Sequence, residues 1–158
     1  GYWQDSQATA AAIDQDGWFH TGDIATLKDG RFYITGRLKE MIVLSNGEKV
    51  VPSDAEQAIL RDPVFEQVML IGEGRSKLGL LCVTKRSNHQ ELCVRANLQL
   101  AAFPGYVKIR HVATVSGPWT IENGLLTPTM KLKRDEIMRH YAKEIKQMFA
   151  SDIPSSNG

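Results

Sequence analysis

Residues 36–56 read Gly36-Arg37-Leu38-Lys39-Glu40-Met41-Ile42-Val43-Leu44-Ser45-Asn46-Gly47-Glu48-Lys49-Val50-Val51-Pro52-Ser53-Asp54-Ala55-Glu56, and they decide the fold. The run opens on a polar joint, Gly36–Glu40, with no regular period. Met41–Leu44 is a short apolar strand, and Ser45-Asn46-Gly47-Glu48 is a hairpin turn. Lys49–Val51 returns, and Pro52 sits at the margin of a helix that ends near Arg61, before Asp62-Pro63. Ser53 and Glu56 have capping-box spacing. A joint, a tight hairpin and a helix within some twenty residues point to a small α+β module beginning near residues 37–40.

Downstream, Phe65–Gly72 and Leu80–Lys85 predict two strands around a Gly/Lys/Arg loop. Asn88–Leu100 reads as a helix and Val107–Val115 as a strand. Gly117–Met130 reads as a loop, and Leu132–Phe149 as one amphipathic helix with Leu132, Ile137, Tyr141, Ile145, Met148 and Phe149 near one face. Residues 151–158 read as a flexible polar tail. Upstream, Asp16-Gly17 and Asp29-Gly30 are turns, and the segments around Asp29-Gly30 form a β-hairpin. A short helix is expected over Asp5–Ile13. The elements alternate too irregularly for a doubly wound nucleotide fold.

The 158 residues carry a net charge of +1, with 42% hydrophobic and 23% charged residues. That balance leaves no electrostatic footprint for nucleic acid. No apolar run approaches the length of a membrane span, and the N-terminus has no signal-peptide pattern. Cys82 and Cys93 have no histidine at metal-ligand spacing and read as reduced, buried thiols of a cytoplasmic protein.

Gly72-Glu73-Gly74-Arg75-Ser76-Lys77-Leu78-Gly79 fails the spacing of both glycine-rich nucleotide loops and reads as a turn. His20, His89, His111 and His140 are scattered, no nucleophile elbow is present, and no metal site is expected. Asp23, next to Gly22, can accept hydrogen bonds from two ribose hydroxyls, or it is part of a plain turn. Lys131, at the end of a Pro/Gly-containing loop, can bring positive charge to a phosphate or carboxylate, or it is one solvated lysine beside Lys133 and Arg134.

Four motifs occur in order: Gly1-Tyr2-Trp3 with Ala8-Thr9 and Asp16-Gly17-Trp18-Phe19-His20-Thr21-Gly22-Asp23; Gly36–Ile42; Asn46–Pro52; and Glu122-Asn123-Gly124-Leu125-Leu126-Thr127-Pro128-Thr129-Met130-Lys131-Leu132-Lys133-Arg134. Together they resemble the acyl-adenylate-forming, AMP-binding enzymes. Leu126-Thr127-Pro128-Thr129 before Lys131 resembles the long-chain fatty-acid–CoA ligase branch, where other branches usually show a Thr-x-Ser-Gly-Lys form.

The resemblance implies an α+β fold: a small mobile C-terminal domain over 37–150, hinged near 37–40, after the β-rich end of a large AMP-binding domain over 1–36. It implies a two-step ligation in which fatty acid and ATP give acyl-adenylate and pyrophosphate, and coenzyme A then displaces AMP. By motif match, Lys131 is the adenylation lysine and Asp23 holds the ribose hydroxyls. Arg37 contacts the nucleotide nearby, Lys39 is the hinge residue where many relatives carry aspartate, and Gly47 faces coenzyme A after rotation. The phosphate-gripping loop, the acidic motif that supports Mg2+ and the acyl tunnel belong to a large domain expected before Gly1. That domain is the expected partner, and the chain alone is expected to be inactive. Acyl chain length is not encoded here, and peripheral membrane contact is left to the parent. Two other readings stand beside this one: an acyl–acyl-carrier-protein synthetase fragment, and a free-standing, non-catalytic binding module.

Overall fold

The computed structural model describes Gln7, Ala10 and residues 12–150. Two compact units divide at Met41 and Ile42.

The first unit holds a hairpin of β1 (Asp23–Lys28) and β2 (Arg31–Arg37), paired antiparallel. Its turn residues Asp29 and Gly30 both have positive φ, 50° and 72°. That geometry matches the twist of the flanking strands and accounts for Asp-Gly there. A 3-10 turn, Leu38–Glu40, follows β2. Of the helix expected over Asp5–Ile13, Gln7, Ala10 and Ala12 are helical, and the rest of it apart from Ile13 lies outside the described residues, as does the 151–158 tail. Ile13 itself bridges Phe19.

The second unit begins with a two-stranded sheet, β3 (Ile42–Val43) and β4 (Lys49–Val50), then α1 (Pro52–Ile59). Strands β5 (Gln67–Ile71), β6 (Leu78–Val83) and β7 (Ile109–Val115) form a sheet in that order. β5 and β6 are antiparallel, and β6 and β7 are parallel. Parallel pairing needs a crossover, which α2 (His89–Gln99) supplies. Asn88 starts α2 by accepting the Glu91 N–H on its side chain, the usual N-cap chemistry. The α+β expectation holds: the chain has a small mixed sheet flanked by helices.

Alternation along the strands gives this sheet two apolar faces. Val68, Leu70, Leu80, Cys82, Ile109 and Val112 enter one core, together with Ile42, Leu44 and Val50 from the β3–β4 hairpin, Ile59 from α1 and Leu92 from α2. Met69, Ile71, Leu81, Val83, Ala113 and Val115 face the other core, with Trp119, Leu125, Leu126, Ile137, Tyr141, Ile145 and Phe149. Among the described residues no helix is long and apolar enough to cross a membrane.

Three local expectations change. The final helix is two: α3 (Arg134–His140) and α4 (Ala142–Met148), broken at Tyr141 with φ −105° and ψ 29°. Apolar periodicity continues through the break because both pieces face one core. Tyr141 packs in that core as well: its N–H and carbonyl pair with Ile137 and Ile145 at 3.0 Å, and its hydroxyl donates to the Ser116 carbonyl at 2.7 Å. The capping-box reading also gives way. Val51 takes the cap position of α1 without a side-chain hydrogen bond, and Pro52 occupies the first turn, where its fixed φ and missing N–H cost nothing. Finally, Cys82 is buried but Cys93 only half so.

Candidate functional site

In the first unit, Asp14 organises the turn that leads to Asp23. Its Oδ1 accepts the N–H groups of Asp16 and Trp18 at 3.1 and 2.8 Å, and its Oδ2 lies 3.1 Å from His20 Nε2. Gly22 then has φ +71°, a conformation that favours glycine. The Gly22 carbonyl accepts the Leu38 N–H at 2.7 Å, and Thr21 Oγ1 accepts the Asp23 N–H at 3.1 Å. Asp23 opens β1 directly opposite Arg37 at the end of β2.

That register brings Arg37 Nε to 2.9 Å from Asp23 Oδ1, with the Asp23 side chain 23% exposed. Two residues separated by fourteen positions thus form one ion pair because the hairpin closes between them. A carboxylate oriented by one guanidinium and still partly open is a fitting acceptor for paired hydroxyl donors. Lys39 lies in the exposed 3-10 turn at the end of this unit.

In the second unit, Gly47 caps the β3–β4 hairpin. Its N–H donates to the Leu44 carbonyl, and the Leu44 N–H donates to the Glu48 carbonyl, both at 2.9 Å. The Glu48 N–H donates to Asn46 Oδ1 at 3.1 Å. Gly47 has φ +84°, and an added Cβ would meet no atom within 4 Å. The backbone alone therefore calls for glycine here, and the space above it is open. The hairpin is stapled to the 72–75 turn: Glu73 Oε2 accepts the Val43 N–H at 2.8 Å, and the Arg75 carbonyl accepts the Ser45 N–H at 2.9 Å.

Lys131 is exposed at the end of a tight turn rather than on a loose loop. Leu126 and Leu132 bridge beneath it. Thr127 donates its N–H to the Lys131 carbonyl at 2.8 Å and receives the Lys131 N–H on Oγ1 at 3.0 Å. Met130 has φ +62°, a left-handed conformation that costs a non-glycine residue about 1–2 kcal/mol. The preceding loop is pinned as well. Trp119 is buried, and the Gln67 side chain pairs with both its N–H and its carbonyl at 2.6 and 2.9 Å.

Sequence reading missed Glu56 and Arg134. Glu56 Oε1 accepts the Leu70 N–H at 2.7 Å, and Oε2 takes Arg134 Nη2 at 2.6 Å. Leu70 lies on β5, an edge strand, so the pair covers an otherwise open edge and anchors the residue three places after Lys131. Asn97 was missed too. Its amide pairs with both the N–H and the carbonyl of Ile109 at 2.9 Å. Neither pairing has a signature in local spacing.

Among the described residues no group of three or more His, Cys, Asp or Glu side chains could hold a metal ion.

The sheet therefore separates two of the residues singled out. The hairpin bearing Gly47 packs on one face, and the turn bearing Lys131 stands on the other. Asp23 and Arg37 form a pair within the first unit.

The family model described as the AMP-binding enzyme C-terminal domain matches residues 39–152. A chloroplastic long-chain-fatty-acid–acyl-carrier-protein ligase of Arabidopsis thaliana is 31% identical over 95% of this chain and 24% of its own length. Long-chain-fatty-acid–CoA ligase 1 of Cavia porcellus is 30% identical over 96% of this chain and 26% of its own length. The adenylation domain of a carboxylic acid reductase from Segniliparus rugosus, solved with AMP and a co-purified carboxylic acid, matches with a TM-score of 0.85 at 25% identity. That match covers 96% of this chain and 26% of the reductase domain. The chain thus spans about a quarter of the length of the relatives it matches.

Proposed function

The chain belongs to the AMP-binding enzyme C-terminal domain family, and from that premise we propose that it is the lysine-bearing part of an ATP-dependent long-chain fatty-acid–CoA ligase. The observation that carries the reading is the placement of the Lys131 turn and the Gly47 hairpin on opposite faces of one sheet. A rigid body with two such faces can present one to each half-reaction. Residues 37–40, with Lys39 among them, are the hinge that exchanges the faces, and small-domain rotation of this kind is a known way to gate chemistry.

In the first half-reaction the fatty-acid carboxylate attacks the α-phosphate, and negative charge concentrates where the two meet. The Lys131 ammonium bridges them and is worth more in that transition state than to either separated anion. Asp23 accepts the ribose hydroxyls while Arg37 holds its carboxylate in place and meets the nucleotide. In the second half-reaction the lysine face gives way to the Gly47 face. A turn with no side chain there leaves room for the pantetheine arm of coenzyme A. Magnesium and the phosphate-gripping loop belong to the large domain of the intact parent. We place the parent in the cytoplasm, while relatives carry chloroplastic and peroxisomal names.

The acceptor has a second reading. The Arabidopsis relative is named for acyl carrier protein rather than coenzyme A, so a carrier-protein thiol is the alternative. Assay of the parent with both thiols separates them.

The test of the main reading is made in the full-length parent. Lys131→Ala is expected to lower acyl-adenylate formation about 10²-fold or more, with thioester formation from supplied acyl-adenylate nearly unchanged. Equal losses in both steps would refute the role. The 158-residue chain by itself is expected to make no acyl-CoA.

A further inference from the structure

We infer that Thr127 is the positioning residue for Lys131, acting by holding a strained turn that packing alone does not hold. The inference rests on the reading of Lys131 as the adenylation lysine.

Several hydrogen bonds converge on Thr127. Its N–H donates to the Lys131 carbonyl at 2.8 Å, and its carbonyl accepts the Met130 N–H at 2.8 Å. Its Oγ1 accepts the Lys131 N–H at 3.0 Å and lies 3.0 Å from Thr129 Oγ1. Beneath it, Leu125 and Leu126 are buried in the second core. Above it, Pro128, Thr129, Met130 and Lys131 are all exposed. Apolar packing therefore ends at Thr127, and hydrogen bonds set the shape of the tip. Within that tip Met130 sits at φ +62°. A non-glycine residue stays in that region only where its surroundings hold it.

A lysine side chain rotates freely about four bonds. What the fold can fix in advance is the position of its Cα and the direction in which the side chain leaves. Thr127 fixes both by clamping the N–H and the carbonyl of Lys131. Small misplacements of a reacting group cost large factors in rate. The Thr127 hydroxyl thus replaces, by a hydrogen bond, the ease with which glycine would adopt the turn at position 130.

The experiment measures both half-reactions in the full-length parent. Thr127→Val keeps the shape of the side chain and removes the hydroxyl. It is expected to lower the kcat of adenylation about 10-fold, with the KM for ATP and the rate of thioester formation within about twofold of the parent. Thr127→Ser restores the hydroxyl and is expected to recover adenylation to within about twofold. In a Met130→Gly background the Thr127→Val loss is expected to shrink below about threefold, because the strain it offsets is gone.

Unchanged adenylation in Thr127→Val, beside a large loss in Lys131→Ala, would overturn the positioning role and leave the lysine assignment standing. Equal losses in both half-reactions would also overturn it, since a general destabilisation does not select one step. If Lys131→Ala itself leaves adenylation intact, the functional reading falls first and this inference falls with it.

Discussion

Arg134→Met should destabilise the second unit more than any exposed substitution, and the size follows from the contacts. Arg134 Nη2 lies 2.6 Å from Glu56 Oε2, with the two side chains 17% and 9% exposed. Removing the guanidinium takes away the cation 2.6 Å from a largely buried Glu56 carboxylate, which still accepts the Leu70 N–H at 2.7 Å. Breaking one partner of a fully buried pair costs about 3–5 kcal/mol. Partial exposure of Arg134 lets some water reach the site, so the expected loss is about 2–4 kcal/mol. Urea unfolding followed by the fluorescence of buried Trp119 measures it. With a slope of about 2 kcal/mol per molar, the midpoint should fall by roughly 1–2 M, and Tm by about 10 °C. Glu56→Gln keeps an acceptor for the Leu70 N–H and should cost less than Glu56→Leu, which orphans that donor. Arg134→Met should then cost less in the Glu56→Gln background, because the charge that faces the guanidinium is already gone. A loss below about 0.5 kcal/mol in the single variant, the size of an ordinary surface change, would refute the buried-pair reasoning.

Two further predictions concern titrating groups. The Arg95 guanidinium, at 2.7 and 2.8 Å, and the Val64 N–H hold the Asp62 carboxyl below its ordinary value of 3.8. A depressed carboxyl adds stability that is fully present above 3.8 and is lost as pH falls through the lower folded value. The stability gap between the parent chain and Asp62→Asn should therefore stay constant from neutral pH down to about 3.8 and close as pH falls further, through the folded value. A gap that stays constant at still lower pH would contradict the ion pair. Burial pushes the Cys82 thiol up to about 12, and Cys93, half-buried, is raised by burial to a smaller extent. Maleimide at about pH 8 should label Cys93 first and reach Cys82 only on unfolding; equal rates in the native protein would show that the β6 core opens readily.

Much of the chain is legible in its sequence because the signals are local. Asp29-Gly30 and Ser45–Glu48 are turns by residue chemistry, and the hairpins around them follow. Alternating and continuous apolar runs mark β5, β6 and β7, and Asn88 marks the start of α2. The ordered motifs ending at Lys131 point to the family that matches residues 39–152. Local pattern misleads where tertiary contacts decide. Periodicity joins α3 and α4 because both face one core, and the backbone leaves helical angles only at Tyr141 between them. Glu56 at capping-box spacing has its carboxylate turned to Leu70 and Arg134, the latter 78 positions away.

The sequence by itself therefore determined the elements, their turns and the family, since these depend on neighbours a few residues apart. Only the tertiary structure decided which face each element occupies. It set Gly47 and Lys131 on opposite sides of the sheet, paired Asp23 with Arg37 across a hairpin, and made Thr127 the hub of the Lys131 turn. Those relations depend on where distant backbones meet, and no local propensity encodes a meeting of that kind.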